Sequence, residues 1–385
     1  MPMLQFMPWC RLDKKYNLGE LEIIPFNRYE VFKQYDPLIA YRIRQILTPH
    51  RGLHGEPVTD ASLVKFHNKD ILADLTEEER NIAFELIQLA CFTGLSSRDY
   101  FDPHGNYCCS DCFKFYIQRF QEEPTAVGMV LRKMEGSIGN LMSTDKLTIT
   151  QPNQVAIQEF KLDESFLAAL IQYRSSSTPE DWTRLMSAVS CFNQANTDNE
   201  TVHYQMEWVL LNSAIQHFLD AGYKLDELTE KFTQAIMPYF VVKASDSKRK
   251  TDDWKEPDRP LRFYWIKEFY IIRNDYAHGK LNPKRSFSWE PLEHLVLAKI
   301  VFPLLVKLKL KETGSYELID NDVDQIDTIE KLADEKFLEP IVRKNEPEKY
   351  WYRILMEEQQ EKRWKEKLHQ QIEEKLSKRN EKEQD

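Results

Sequence analysis

The chain lacks a long uninterrupted apolar run. Its longest, Leu295–Val306, is broken by Lys299 and Pro303 and falls short of the roughly 20 residues a membrane-spanning helix needs. No membrane association is expected. The opening residues, Met-Pro-Met-Leu-Gln-Phe-Met-Pro-Trp, show no basic region followed by an apolar stretch, so no signal peptide is read there. Six cysteines in 385 residues do not make a disulfide framework, and a reducing cytoplasmic setting is the expectation. An excess of basic charge is also missing. The net charge of −10 argues against a surface coated for nonspecific nucleic-acid binding, although a local basic groove stays open. No Walker motif, GxSxG or HExxH occurs, and Gly136-Ser-Ile-Gly139 follows no glycine-rich phosphate pattern. Asp320-Asn-Asp322-Val-Asp324 begins like a calcium loop. It has Gln325 where the turn glycine belongs and Lys331 where the closing glutamate belongs, which excludes that reading. There is no internal repeat.

What is present fits a globular class with a charged surface: 42% apolar and 30% charged residues. The length suffices for about two or three domains. Residues 1–155 read as an α+β domain with a sensor or regulatory role. Leu4–Arg11, Leu21–Phe26, Phe113–Phe120, Met129–Lys133 and Lys146–Thr150 have strand character. His50–Pro57 reads as a loop from its glycines and proline. Leu75–Leu95 is predicted as a helix capped by Thr76, with Glu77, Glu78 and Glu79 in its first turn. Thr150–Gln154 is a plausible linker.

Residues 156–312 turn helical throughout. Helices are expected over Ser165–Tyr173, from Pro179 to about Asn193, and over Val202–Leu219, Leu225–Val242, Leu261–His278 and Trp289–Lys309. Thr178-Pro179-Glu-Asp is a strong start signal. Short connections between such helices favour an antiparallel bundle. Residues 313–345 read as an acidic connector. In residues 346–385, Trp364, Leu368, Ile372 and Leu376 form a narrow apolar stripe among alternating charges, the pattern of a surface or coiled-coil helix.

The stretch with most chemical content is Arg273-Asn274-Asp275-Tyr276-Ala277-His278-Gly279. Ile266, Phe269, Arg273 and Tyr276 share one helical stripe. An arginine on an apolar stripe is costly unless an anion meets it. Asn274 and His278 are four apart and share the neighbouring face. Gly279 supplies a helix stop and Pro283 follows. His278 therefore falls in the last turn, where free carbonyls favour its protonated form. A guanidinium can hold phosphate oxygens as a planar fork. A nearby imidazole can move a proton to or from a ribose 2′-hydroxyl or the leaving oxygen. RNA brings its own nucleophile, so such a pair needs no metal and no cofactor. Asn274 is the polar helper. Glu207, Asp275 and Tyr276 are candidate supports, with Glu207 placed to orient Arg273 or His278 across the bundle. The plainer reading makes His278 a helix-end cation and Arg273 half of a buried pair with Glu207.

Two further groups stand out. Lys248, Arg249 and Lys250 lie in the loop before the motif helix and either guide RNA or form a solvated loop. Cys109 and Cys112 have zinc-ligand spacing, and His104 could join them. Without a second Cys-x2-Cys, ordinary thiols are the favoured reading.

The Arg273-x4-His278 pattern, with Asn274 after the arginine and a helical setting, resembles the signature of the HEPN superfamily. The two-part layout is similar to ApeA-like HEPN anti-phage proteins, with Met7-Pro8-Trp9 through Ile24-Pro25-Phe26 in the place of their opening strands. The resemblance implies an α+β N-terminal domain, then an all-α HEPN bundle, here followed by a charged C-terminal helix. It implies homodimers or higher oligomers whose motifs share one cleft, and metal-independent cleavage of RNA, often tRNA, in abortive infection after a phage-derived trigger. On this basis Arg273 binds phosphate and His278 is the acid/base. Some HEPN proteins are instead non-catalytic dimerising or nucleotide-binding modules, which would leave the N-terminal domain to bind a partner.

Overall fold

The computed structural model describes residues 3–100, 105–119, 126–133, 136–143, 148–152, 159–199, 202–237, 239, 242–249, 254–279, 287–341 and 349–350, with isolated helical positions between 354 and 372. The architecture is mixed α+β, with an N-terminal sheet and a helical remainder. The strands before residue 155 are β1 (Met3–Met7), β2 (Tyr16–Asn17), β3 (Leu21–Asn27), β4 (His50–Arg51), β5 (Asp60–Phe66), β6 (Tyr116–Arg119), β7 (Ala126–Lys133), β8 (Gly136–Ser143) and β9 (Ile149–Thr150), and a short antiparallel pair, β10 (Pro340–Ile341) and β11 (Lys349–Tyr350), follows far along the chain. A five-stranded sheet runs in the order β2-β3-β5-β1-β6 with antiparallel neighbours. Opposite Leu21 lies Phe66, and opposite Ile23 lies Val64, all four buried. Such cross-strand apolar pairs fix the register, because a one-residue slip would turn each of them outward. β7 and β8 form a hairpin, and β4 pairs in parallel with β9.

Between β3 and β4 the chain forms α1 (Val31–Gln34) and α2 (Pro37–Leu47). Asp36 caps α2 by accepting from Leu38 N, and Pro37 takes the first turn. The helix α3 (Glu77–Ser96) starts at a reciprocal capping box between Thr76 and Glu79, which satisfies donors that would otherwise be orphaned at the helix start.

The helices that follow are α4 (Glu164–Ser176), α5 (Pro179–Ala195), α6 (Tyr204–Phe218), α7 (Leu225–Ala235), α8 (Leu261–Ala277), α9 (Pro291–Glu312) and α10 (Asp320–Asp334). α3 precedes residue 155 in sequence, yet it packs on α4, α5 and α9. Phe92 sits at that junction against Phe166, Phe192 and Phe302. Sheet and helices thus share one apolar core. α9 is buried on nearly all sides, as a central helix should be. α7 ends at Ala235, short of the expected Val242. Pro238 follows closely, and a proline disfavours helical geometry in the residue before it.

The acidic connector holds a helix the sequence reading did not expect. α10 turns Ile326, Ile329 and Leu332 onto the bundle. Its Asp322 is fully buried and meets Lys307 Nζ at 2.6 Å, while Asp163 reaches the same ammonium at 2.7 Å. Trp364, Leu368 and Ile372 occupy helical positions with exposed side chains. Leu376 lies outside the described residues. Among the described residues no helix is long and apolar enough to cross a membrane.

Candidate functional site

α8 is held by aromatic packing along its inner face. Trp208 of α6 stacks on Phe269 with ring centres 4.9 Å apart, and its Nε1 donates to the Phe269 carbonyl at 2.9 Å. Trp265 stacks on the other side of Phe269 at 5.5 Å. Toward the C-terminal end, Tyr276 meets Trp208 edge-on at 5.6 Å and Tyr204 edge-on at 5.9 Å. Burial, then the neighbouring Tyr204, pushes the Tyr276 hydroxyl up to about 12, so it stays a neutral donor or acceptor at physiological pH.

A polar brace anchors the middle of α8. Glu268 accepts from the backbone N–H groups of Ser288 and Trp289 and from His294 Nε2, all at 3.0 Å. Burial alone would raise the Glu268 carboxyl, but the His294 bond and the two backbone donors outweigh it and hold the group below its usual range. Burial lowers His294 against the pull of Glu268, which leaves a neutral imidazole donating to a carboxylate. This brace fixes α8 against the start of α9.

The motif residues follow in the last turn. Arg273 is half-buried; its Nη1 donates to Asn274 Oδ1 at 2.9 Å, and its Nε is buried with no hydrogen-bond partner among the described residues. His278 is exposed at the helix cap, with its backbone N–H donating to the Asn274 carbonyl at 3.0 Å. Gly279 ends the turn at φ +64°, a conformation in which glycine carries no Cβ penalty. The end of α8 therefore presents a guanidinium, an amide and an imidazole within about one turn and a half of helix.

The supports differ from expectation. Glu207 does not orient the motif; its Oε2 pairs with Lys299 Nζ of α9 at 2.9 Å. Burial lowers Lys299 and Glu207 opposes that shift, so the carboxylate is engaged with a part-buried ammonium. Asp275 is half-buried on the same turn as Arg273.

The expectation that Arg249 guides RNA is corrected. Its side chain is 2% exposed and grips Glu293 through two parallel bonds of 2.9 Å, with the Trp289 ring beneath it at 5.3 Å. A basic residue in a polar loop is here a bidentate internal tie. Lys248 is exposed and pairs with Glu335. Lys250 lies outside the described residues.

Cys109 and Cys112 are buried. The bond with Cys112 and then burial push the Cys109 thiol far up, and Cys91 and Cys108 are raised by burial. Cys91, Cys108 and Cys109 are thus protonated core thiols. His104 lies outside the described residues. Among the described residues no group of three or more His, Cys, Asp or Glu side chains is placed to hold a metal ion.

Sequence reasoning missed Trp208, Tyr204, His294 and the role of Glu268. Tyr204 and Trp208 are four apart on one helix, a spacing that marks a shared aromatic face. The Glu268–His294 contact joins residues far apart in the chain and left no local signal. No protein-family model, curated protein or solved structure matches this chain.

Proposed function

We propose that the chain is a metal-independent RNA endonuclease of the HEPN type, working at the C-terminal end of α8. The observation that supports this reading most is Arg273: a half-buried guanidinium with an orphaned Nε, hydrogen-bonded to Asn274, about one turn and a half before an exposed imidazole. A buried donor without a partner costs free energy that an incoming phosphate oxygen would recover.

In the proposed reaction Arg273 holds the scissile phosphate. His278 takes the proton from the 2′-hydroxyl while water protonates the leaving 5′-oxygen, or it protonates the leaving oxygen while water takes the first proton. The 2′-oxygen forms its bond to phosphorus as the bond to the 5′-oxygen breaks. The products are a 2′,3′-cyclic phosphate and a 5′-hydroxyl, and no electrons are exchanged with a cofactor. A second copy of the chain brings a second motif to the cleft, with tRNA as a substrate class, in the cytoplasm, under a phage-derived trigger.

The test is deregulated expression of wild type beside His278→Ala and Arg273→Ala. The proposal expects toxicity from wild type, its loss in both variants, and cleavage that survives EDTA. Toxicity unchanged in both variants would transfer the reading to a non-catalytic HEPN module whose N-terminal domain binds a partner.

A further inference from the structure

Three arginines are brought to one corner of the N-terminal sheet: Arg51 bridges Pro57, Arg28 bonds to Thr59 two residues further on, and Arg44 lies over Phe32, four residues after Arg28. Arg28 follows the last residue of β3, Arg44 lies in the last turn of α2, and Arg51 ends β4. Their backbones are pinned. Arg28 N donates to the Thr59 carbonyl at 2.8 Å, and the Arg51 carbonyl accepts from Trp9 Nε1 at 3.1 Å and Gln151 N at 2.9 Å. The Arg44 guanidinium rests over the Phe32 ring at 5.3 Å.

No carboxylate pairs with any of the three among the described residues. The Arg28 Nη1 is buried there without a hydrogen-bond partner. Burial, then the charges of Arg44 and Arg51, draw the Arg28 guanidinium below its ordinary value. Like charges gathered in partly desolvated surroundings are unfavourable, and an anion between them would reverse the sign of that interaction. Aromatic rings border the same corner. Tyr29, Phe32 and Tyr41 are 77%, 47% and 51% exposed. Tyr41 and Arg44 are three apart on α2 and so share a face. Exposed rings next to guanidiniums suit a ligand that joins a phosphate to a planar base: the fork takes the oxygens and the ring takes the π-face.

We propose that Arg28, Arg44 and Arg51 form a phosphate-binding corner that holds a nucleotide, with its base against the exposed aromatic rim of α1 and α2. The nucleotide is either free or part of a single-stranded RNA. The site uses no residue of α8 and stands whether or not RNA is cut there.

The test titrates the full chain into a fluorescent ATP analogue and, separately, into a fluorescein-labelled RNA octamer, reading anisotropy. Arg44 and Arg51 are only part-buried, so Arg44→Glu and Arg51→Glu are the main variants, with Arg28→Gln as a third and circular dichroism as the folding check. Saturable binding of the analogue alone assigns a free nucleotide; binding of the octamer assigns a strand. Each charge reversal should weaken the affinity by about tenfold or more, the scale of one lost charge-assisted contact. Failure of both probes to bind overturns the proposal. So does binding that survives Arg44→Glu and Arg51→Glu, or RNA binding that disappears in Arg273→Ala.

Discussion

Acid should loosen the N-terminal sheet through one histidine. His50 is buried on β4 inside a ring of Phe6, Trp9 and Tyr116, with centroids 5.0, 6.1 and 5.2 Å away. Neither imidazole nitrogen has a well-formed hydrogen bond. Burial carries its pKa down to about 4, against a smaller opposing pull from the Ile46 backbone. An unfolded chain takes up the proton near the ordinary value of about 6.5. Below that pH the unfolded state binds a proton the folded state refuses, so stability falls as pH falls, until about pH 4. Between about pH 7.5 and about pH 5 the linkage relation gives a loss of about 2 kcal/mol from this one group. His50→Leu removes the titrating group at similar volume. Urea denaturation of both proteins at the two pH values reads the effect. Wild type should lose about 2 kcal/mol more than the variant on acidification. His294 is lowered by burial too, but it is common to both proteins and cancels in the comparison. Parallel losses, differing by less than about 0.5 kcal/mol, would refute the argument that His50 is held neutral.

Lys307→Met should cost about 3–5 kcal/mol, because it strands the buried carboxylate of Asp322 without its counter-charge. The double variant with Asp322→Leu should recover more than half of that in the same urea experiment, and no recovery would show that α10 is held by something else. Trp208→Ala should cost about 3–5 kcal/mol through lost packing under α8, read as a drop in melting temperature, while Trp208→Phe keeps most of the stack and should cost less. Arg249→Met should lower stability by about 3–5 kcal/mol, and it should leave RNA affinity untouched, since the guanidinium is already saturated by Glu293. A loss of RNA binding without a loss of stability would restore the loop to an RNA-guiding role.

Elements with local signals were legible in the sequence. The Thr76 capping box, the Thr178-Pro179 start and the Gly279 stop each act within a few residues, so α3, α5 and α8 lie close to their expected bounds. The same chemistry at Asp36-Pro37 was present and passed over, which cost α2. β5 depends on pairing with both β1 and β3, and non-local pairing leaves little trace in one sequence. α10 looked like a solvated acidic stretch because its burial rests on Lys307, a residue of the preceding helix. Glu207 and Arg249 carry no local sign of what they pair with. Their partners, Lys299 and Glu293, are distant in the chain, and only the folded arrangement separates a buried pair from a free charge. The end of α8 was legible as a helix stop just after Arg273, Asn274 and His278. The aromatic and Glu268–His294 supports beneath it were not.

The most direct measurement of the central claim is sequencing of RNA 5′-hydroxyl ends after expression of wild type and of His278→Ala, with circular dichroism confirming that both fold. The account predicts new 5′-hydroxyl ends at discrete positions, tRNA among them, in wild type and their absence in the variant. Identical end profiles from two folded proteins, under infection as well as at rest, would contradict it.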